Sequence, residues 1–60
     1  MTDFEKMITK LRKSSYDEGR HFVVWEWKNG GKQIEFRPSR FCDEWICFEY
    51  DNNGNLIEIF

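Results

Sequence analysis

Few side chains of the kinds that most often carry out chemistry occur in this chain of 60 residues. His21 is its only histidine, and Cys42 and Cys47 are its only cysteines. A general base needs an orienting partner and a nucleophile to activate, and no serine here lies in a recognisable nucleophile motif. The histidine and the cysteines also lack the paired C-x₂-C spacing of zinc sites. We therefore predict no catalytic site, no metal site and no cofactor.

Two polar, glycine-containing segments predict turns rather than ligand sites. Asn29-Gly30-Gly31 contains Asn-Gly, the strongest short-range hairpin signal. Asp51-Asn52-Asn53-Gly54-Asn55 repeats that signal, and it lacks the glutamate that closes an EF-hand calcium loop. Neither segment has the glycine spacing of a phosphate-binding loop. Each should connect two antiparallel strands.

Length and composition indicate one small domain that spans residues 1–60. A chain of this size lies near the lower limit for independent folding, and its 18% aromatic content supplies large buried side chains. No apolar run approaches the roughly 20 residues of a membrane-spanning helix, and residues 1–5 do not resemble the start of a signal peptide. Two cysteines are too few for a disulfide scaffold. We expect a cytoplasmic protein with reduced thiols.

The N-terminal segment predicts an amphipathic helix. Thr2-Asp3-Phe4-Glu5 has the spacing of a capping box, with Thr2 as N-cap and Glu5 returning the hydrogen bond. Phe4, Met7, Ile8 and Leu11 follow the i, i+3, i+4, i+7 spacing of one apolar stripe. Basic residues near the predicted end, around residues 14–16, favour the helix macrodipole.

Four β-rich segments follow the helix. They cover His21–Lys28, Lys32–Arg37, Glu44–Tyr50 and Leu56–Phe60. The predicted fold is α+β, with an N-terminal amphipathic helix packed on a four-stranded antiparallel sheet made of two β-hairpins (α-β-β-β-β). The order of the strands in the sheet stays open at this point.

The hairpin turns predict which side chains share a face. A two-residue loop at Asn29-Gly30 or Gly30-Gly31, and another at Asn53-Gly54, group alternate residues on the same side of the sheet. The face that the helix should cover then collects Val23, Trp25, Trp27, Ile34, Phe36, Ile46, Phe48, Tyr50, Ile57 and Ile59.

The opposite face should carry more apolar side chains than a solvated face needs. Exposed apolar patches on small proteins usually contact a partner, and the predicted partner-binding residues are Phe22, Val24, Trp45, Leu56 and Phe60. The register places Phe60 opposite Cys47. Trp45 and Phe60 are aromatic anchors of the kind that dominate interface energetics, and an apolar last strand invites pairing with another chain.

Charge is unevenly distributed along the chain. Residues 1–40 carry nine basic and six acidic side chains, whereas residues 41–60 carry five acidic and no basic ones. A nucleic-acid-binding domain is normally basic over its contact face, so a protein partner is favoured. The alternative is a small nucleic-acid-binding or regulatory domain that uses sheet aromatics with Lys28, Lys32, Arg37 and Arg40.

The chain resembles small accessory proteins encoded by bacteriophages of low-GC bacteria. The resemblance lies in the N-terminal helix followed by hairpins that end in Phe48-Glu49-Tyr50-Asp51-Asn52-Asn53-Gly54-Asn55-Leu56-Ile57. It implies an anti-defence or host-enzyme inhibitor, often a homodimer, that acts by stoichiometric binding in the cytoplasm of a bacterial host. We accordingly predict a non-enzymatic, homodimeric inhibitor that binds a larger target protein.

Overall fold

The fold is one helix on a four-stranded antiparallel sheet, as described for residues 1–60 by a computed structural model. The elements are α1 (Asp3–Lys13), β1 (Phe22–Glu26), β2 (Lys32–Phe36), β3 (Ile46–Tyr50) and β4 (Leu56–Ile59). The strands lie in the order β1-β2-β3-β4, each beside its neighbour in sequence. The predicted α+β class and α-β-β-β-β layout are confirmed. The helix is neither long nor apolar enough to cross a membrane.

The capping box predicted at the start of α1 is present. The Glu5 backbone N–H donates to Thr2 Oγ1 at 3.2 Å, and the Thr2 backbone N–H donates to Glu5 Oε1 at 3.0 Å. Hydrogen bonds from Thr2, chiefly from its backbone N–H, lower the pKa of Glu5. The helix ends at Lys13 with Ser14 as C-cap, slightly earlier than the predicted end.

The N-terminus of α1 is fastened to the turn between β3 and β4. The Phe4 backbone N–H donates to the Gly54 carbonyl at 3.0 Å, and the Leu56 backbone N–H donates to Asp3 Oδ2 at 3.0 Å. These bonds satisfy two backbone donors that have no partner within their own elements. They fix where the helix crosses the sheet.

The core lies between α1 and one face of the sheet, called here the helix-side face. Its buried members are Phe4, Leu11, Phe22, Ile34 and Tyr50. The rings of Phe4 and Tyr50 meet edge to face at 5.4 Å. Full burial of each large apolar side chain stabilises the fold by roughly 1.5–3 kcal/mol, so this small cluster supplies much of the hydrophobic stabilisation.

The first hairpin uses a longer loop than the sequence predicted. Trp27 donates to the Gly31 carbonyl at 2.9 Å, and Gly30 donates to the Trp27 carbonyl at 2.9 Å. Gly30 has φ +92°, which fits a three-residue loop of a type I turn followed by a left-handed residue. Glu26 therefore lies opposite Lys32, and every other β1–β2 residue pair is shifted from its predicted register in the same way.

This one-residue change turns β1 over, because neighbouring residues of a strand point to opposite faces. Phe22 and Val24 lie on the helix-side face, where Phe22 is fully buried. The predicted placement of Val23, Trp25 and Trp27 beneath the helix is therefore wrong. Trp25 and Trp27 are about half exposed, at 51% and 47%. We call the face of the sheet away from α1 the outer face.

The second hairpin has the same turn but a different outcome. Gly54 donates to the Asp51 carbonyl at 3.0 Å, and Asp51 donates to the Asn55 carbonyl at 2.9 Å. Tyr50 lies opposite Leu56, not Ile57 as predicted, and a bulge in the β3–β4 pair then shifts the register by one residue. Beyond the bulge the predictions are confirmed, with Ile59 opposite Phe48 and Phe60 opposite Cys47.

Candidate protein-binding surface

The five residues predicted to bind a partner do not form one surface. Phe22 belongs to the core and is 0% exposed, and half-buried Val24 packs against that core. Their predicted exposure on the outer face is wrong, because the register of the first hairpin points them at the helix. The predicted placement of Leu56 on the outer face is also wrong, because Leu56 lies opposite Tyr50 on the helix-side face. Of the remaining two residues, Trp45 is half-buried and Phe60 is exposed.

Trp45 is held by an intramolecular contact. The Arg37 guanidinium lies 4.4 Å from the centre of the Trp45 ring, within the range of cation–π attraction. Arg37 also donates through Nε to the Arg20 carbonyl at 2.8 Å. Trp45 is half-buried, and its ring braces the segment between β2 and β3.

Four of the nine exposed large apolar side chains lie in the last strand and the residue that follows it. We call Leu56, Ile57, Glu58, Ile59 and Phe60 the β4 edge. Four of these five residues are apolar, and the exposed fractions of Ile57, Ile59 and Phe60 are 62%, 56% and 62%. β4 lies at one end of the strand order, so one of its sides has no neighbouring strand.

Backbone hydrogen-bonding groups on the open side of β4 are available. Cys47 and Phe60 exchange both backbone hydrogen bonds, at 2.7 and 2.8 Å. In an antiparallel ladder, hydrogen-bonded and non-hydrogen-bonded pairs alternate, so the Phe48–Ile59 pair is a non-hydrogen-bonded one. The N–H and C=O of Ile59 therefore point away from β3 and towards the open side.

The other sheet edge is protected where it meets the core. The Phe22 backbone N–H donates to the Asp17 carbonyl at 3.3 Å, and the Gly19 N–H donates to the Phe22 carbonyl at 2.7 Å. The connector after α1 thus covers the beginning of β1, as expected of edges that proteins shield from pairing. At β4 the Leu56 N–H is bound by Asp3, but no hydrogen bond from another segment reaches the open side at Ile59, so the second half of β4 is an open edge.

Sequence reasoning placed Ile57 and Ile59 under the helix and therefore missed them as surface residues. The signal was present in Leu56-Ile57-Glu58-Ile59-Phe60, where two pairs of adjacent apolar residues break the alternation of a regular strand. A bulge adds one residue to a strand and lets both Leu56 and Ile59 share a face. In β4, the N-terminal end of α1 then contacts Leu56, the first residue of the strand.

Acidic side chains accompany the β4 edge on the outer face. Glu49 and Glu58 are directly opposite each other in the β3–β4 pair, and the chain's one salt bridge joins Arg12 to Glu18 elsewhere. Burial raises the pKa of the Cys47 thiol, and the charges of Glu35 and Glu49 raise it further. Cys47 is therefore a neutral, buried side chain in an acidic neighbourhood rather than a reactive thiolate.

The residues considered for chemistry have structural contacts. His21 Nδ1 accepts a hydrogen bond from the Asp17 backbone N–H at 3.0 Å, and its ring packs on Tyr16. Cys42 and Cys47 are both free thiols. No group of three or more histidine, cysteine or acidic side chains is arranged to hold a metal ion. Asp51 accepts hydrogen bonds within its own turn, and these, led by the bond from the Asn55 N–H, lower its pKa.

The basic residues of the alternative hypothesis do not converge on one patch. Lys32 donates to the Gly30 carbonyl at 3.1 Å and lies 5.8 Å from the centre of the Phe4 ring, on the helix-side face. Arg40 lies 5.1 Å from the ring of Phe41, in the loop before β3. Arg37 is engaged with Trp45, and Lys28 is exposed in the first turn.

Comparison of the chain with protein-family models, curated proteins and solved structures finds no match.

Proposed function

We propose that this chain is a non-enzymatic protein-binding module whose binding surface is the β4 edge. The observation that carries the proposal is the combination of an open sheet edge with exposed Ile57, Ile59 and Phe60. An edge of this kind offers backbone groups to a strand of another protein and apolar surface to that strand's side chains. The free energy of binding then comes from burying the apolar surface, while new hydrogen bonds satisfy the backbone groups that become buried.

Binding in a fixed ratio to a larger protein is the simplest way for such a module to act. A domain of 7.4 kDa that occupies a functional surface of an enzyme blocks that enzyme sterically, which is the inhibitor role implied by the resemblance to phage accessory proteins. The free thiols of Cys42 and Cys47 suit a reducing compartment. We place the protein in the cytoplasm of a bacterial host.

The homodimer predicted from the sequence stays a prediction, and charge makes a second copy a poor occupant of the β4 edge. Residues 41–60 contain five acidic and no basic side chains. Pairing of β4 with β4 of another copy would bring two such segments together, and like charges across an interface oppose association. We therefore place the target protein, not a second copy, at this edge.

The nucleic-acid alternative has one observation in its favour. Trp25 and Trp27 are about half exposed, and aromatic side chains on a sheet can stack unpaired bases. However, the Trp25 indole N–H donates to Glu35 Oε1 at 2.7 Å, and Glu35 and Glu49 lie on the same outer face. These carboxylates repel phosphate, so we rank protein binding first.

Affinity capture with matched variants tests the proposed function. The immobilised protein is incubated with lysate of a low-GC bacterium, and retained proteins are quantified against the amount of immobilised chain. Ile59→Asp places a charge on the β4 edge, whereas Phe41→Asp places the same charge at an 81% exposed loop position. We expect one protein to be retained in about equimolar amount by the wild type and by Phe41→Asp, and to be lost with Ile59→Asp.

Two results would contradict the proposal. One is retention that Ile59→Asp leaves unchanged, which would remove the β4 edge from the binding surface. The other is the absence of any equimolar partner, with a nucleic acid retained instead and released by moderate salt, as phosphate contacts require. Circular dichroism of both variants verifies that they are folded.

A further inference from the structure

The charge and face pattern of the β4 edge also specifies the chemistry of its occupant. We infer that the occupant is an extended segment of another protein in which basic and apolar side chains alternate, and this inference rests on the proposed function. The segment adds a fifth strand beside β4. Its basic side chains lie on the outer face, and its apolar side chains lie on the helix-side face.

Hydrogen bonding requires the occupant to be extended. The N–H and C=O of Ile59 point to the open side, because Cys47 and Phe60 use the adjacent bonding positions within the sheet. A strand placed there can donate to and accept from Ile59 without disturbing the β3–β4 ladder. A helix offers no backbone donors or acceptors at this spacing, since its own are used internally.

Like charges on the outer face select basic side chains in the occupant. Glu49 and Glu58 are opposite each other, an arrangement that destabilises a strand pair. No basic residue of this chain forms a salt bridge with either carboxylate. A lysine or arginine of the new strand would lie beside Glu58 on the outer face. Its positive charge would offset the repulsion between Glu58 and Glu49.

Apolar surface on the other face selects the alternate positions. Ile59 lies opposite Phe48 on the helix-side face, and Ile46 precedes Phe48 by two residues on the same strand. Ile46 and Ile59 are 44% and 56% exposed, so α1 leaves this corner of β3 and β4 largely uncovered. An apolar side chain beside Ile59 would cover this uncovered part of the face.

Binding of designed peptides tests the inference directly. Three heptapeptides with blocked termini serve as probes. The first alternates valine with lysine, and the second alternates valine with glutamate. The third has the same composition as the first, but its lysines are clustered. Titration calorimetry measures the affinity of each peptide for the full chain. We expect the alternating lysine peptide to bind about five- to tenfold more tightly than the glutamate peptide and more tightly than the clustered one.

Variants of the chain assign that binding to the β4 edge. Glu58→Lys should reverse the preference between the lysine and glutamate peptides. Ile59→Pro removes an N–H that faces the open side, a position at which an edge strand tolerates proline. It should abolish peptide binding while leaving the circular dichroism unchanged, and Phe41→Asp should change neither.

Several results would contradict the inferred chemistry of the occupant. Equal affinity for the three peptides, no peptide binding at all, or binding that survives both Glu58→Lys and Ile59→Pro would overturn the inference. A dimer of the wild-type chain in sedimentation measurements, dissociated by Ile59→Pro, would also overturn the inference. The occupant of the β4 edge would then be a second copy of this chain. If the peptides fail but Ile59→Asp still abolishes equimolar capture from lysate, the occupant chemistry is wrong and the proposed function stands.

Discussion

Replacement of Gly54 by alanine tests how the helix is fastened to the sheet. Gly54 has φ +83°, and a Cβ there would lie 2.7 Å from both Cβ and Oγ1 of Thr2, the helix N-cap. Gly30 occupies the same position in the first turn with φ +92°, and its added Cβ would approach only the Asn52 side chain, at 3.2 Å. Gly30→Ala is therefore a control matched in backbone conformation.

The structure predicts different costs for the two variants. Alanine in the left-handed conformation costs about 1–2 kcal/mol at either position, and the loss of unfolded-state entropy is common to both. Only Gly54→Ala adds overpacking against Thr2, worth about 1–3 kcal/mol. A domain of this length has a free energy of unfolding of only roughly 3–9 kcal/mol. Gly54→Ala should therefore leave a large unfolded population.

Urea unfolding followed by tryptophan fluorescence measures the difference. With a slope of about 1 kcal/mol/M for a small domain, the midpoint of Gly54→Ala should lie about 1–3 M below that of Gly30→Ala. Thr2→Gly removes the clashing atoms, and glycine at an N-cap costs only a few tenths of a kcal/mol. In the Gly54→Ala background it should therefore recover most of the difference from Gly30→Ala, because it relieves the overpacking but not the backbone strain. Equal midpoints, or no recovery, would refute the close contact between Thr2 and this turn.

Three further predictions concern stability. Phe22→Ala should destabilise the fold by about 3–5 kcal/mol, whereas Phe41→Ala should change it little; the reverse order in thermal unfolding would restore Phe22 to the surface. Burial, with a smaller contribution from Asp3, raises the pKa of Tyr50 from 10.0 to about 12, so deprotonation favours the unfolded state. The associated stability is present below pH 10 and is lost between about pH 10 and 12; Tyr50→Phe should remove this alkaline loss, and an unchanged pH profile would contradict it. Hydrogen bonds lower the pKa of Asp51, so its contribution is present above its ordinary pKa and is lost as pH falls through the lowered value. Asp51→Asn should unfold with less dependence on pH between about pH 5 and 2, and a profile as steep as that of the wild type would show that this carboxylate is not responsible.

Local features of the sequence were sufficient to predict the elements. The capping box at Thr2 and Glu5, the apolar stripe of α1 and the two Asn-Gly turns each act within a few residues of the chain. The structure confirms the helix start and the four-strand layout, with strand ends that differ by at most two residues. The helix and the strands could therefore be predicted without knowing which elements pack together.

The candidate site was predicted only in part. Phe60 lies opposite Cys47 as predicted and is 62% exposed, whereas Leu56 is 39% exposed but lies on the helix-side face. Phe22, Val24 and Leu56 were assigned to the wrong face, and Ile59 was expected beneath the helix. These errors concern side-chain direction and exposure, which depend on the strand register and on how far α1 extends over the sheet.

Element type and turn position were thus determined by the sequence itself, whereas face and exposure were decided by tertiary structure. β1 contains apolar residues at adjacent positions, Phe22-Val23-Val24-Trp25, so its pattern suits either face. A difference of one residue in the first loop was enough to bury Phe22 and expose Trp25. In the second hairpin a bulge offset the same difference. Because strand side chains alternate with a period of two, only pairing and helix docking could select between these arrangements.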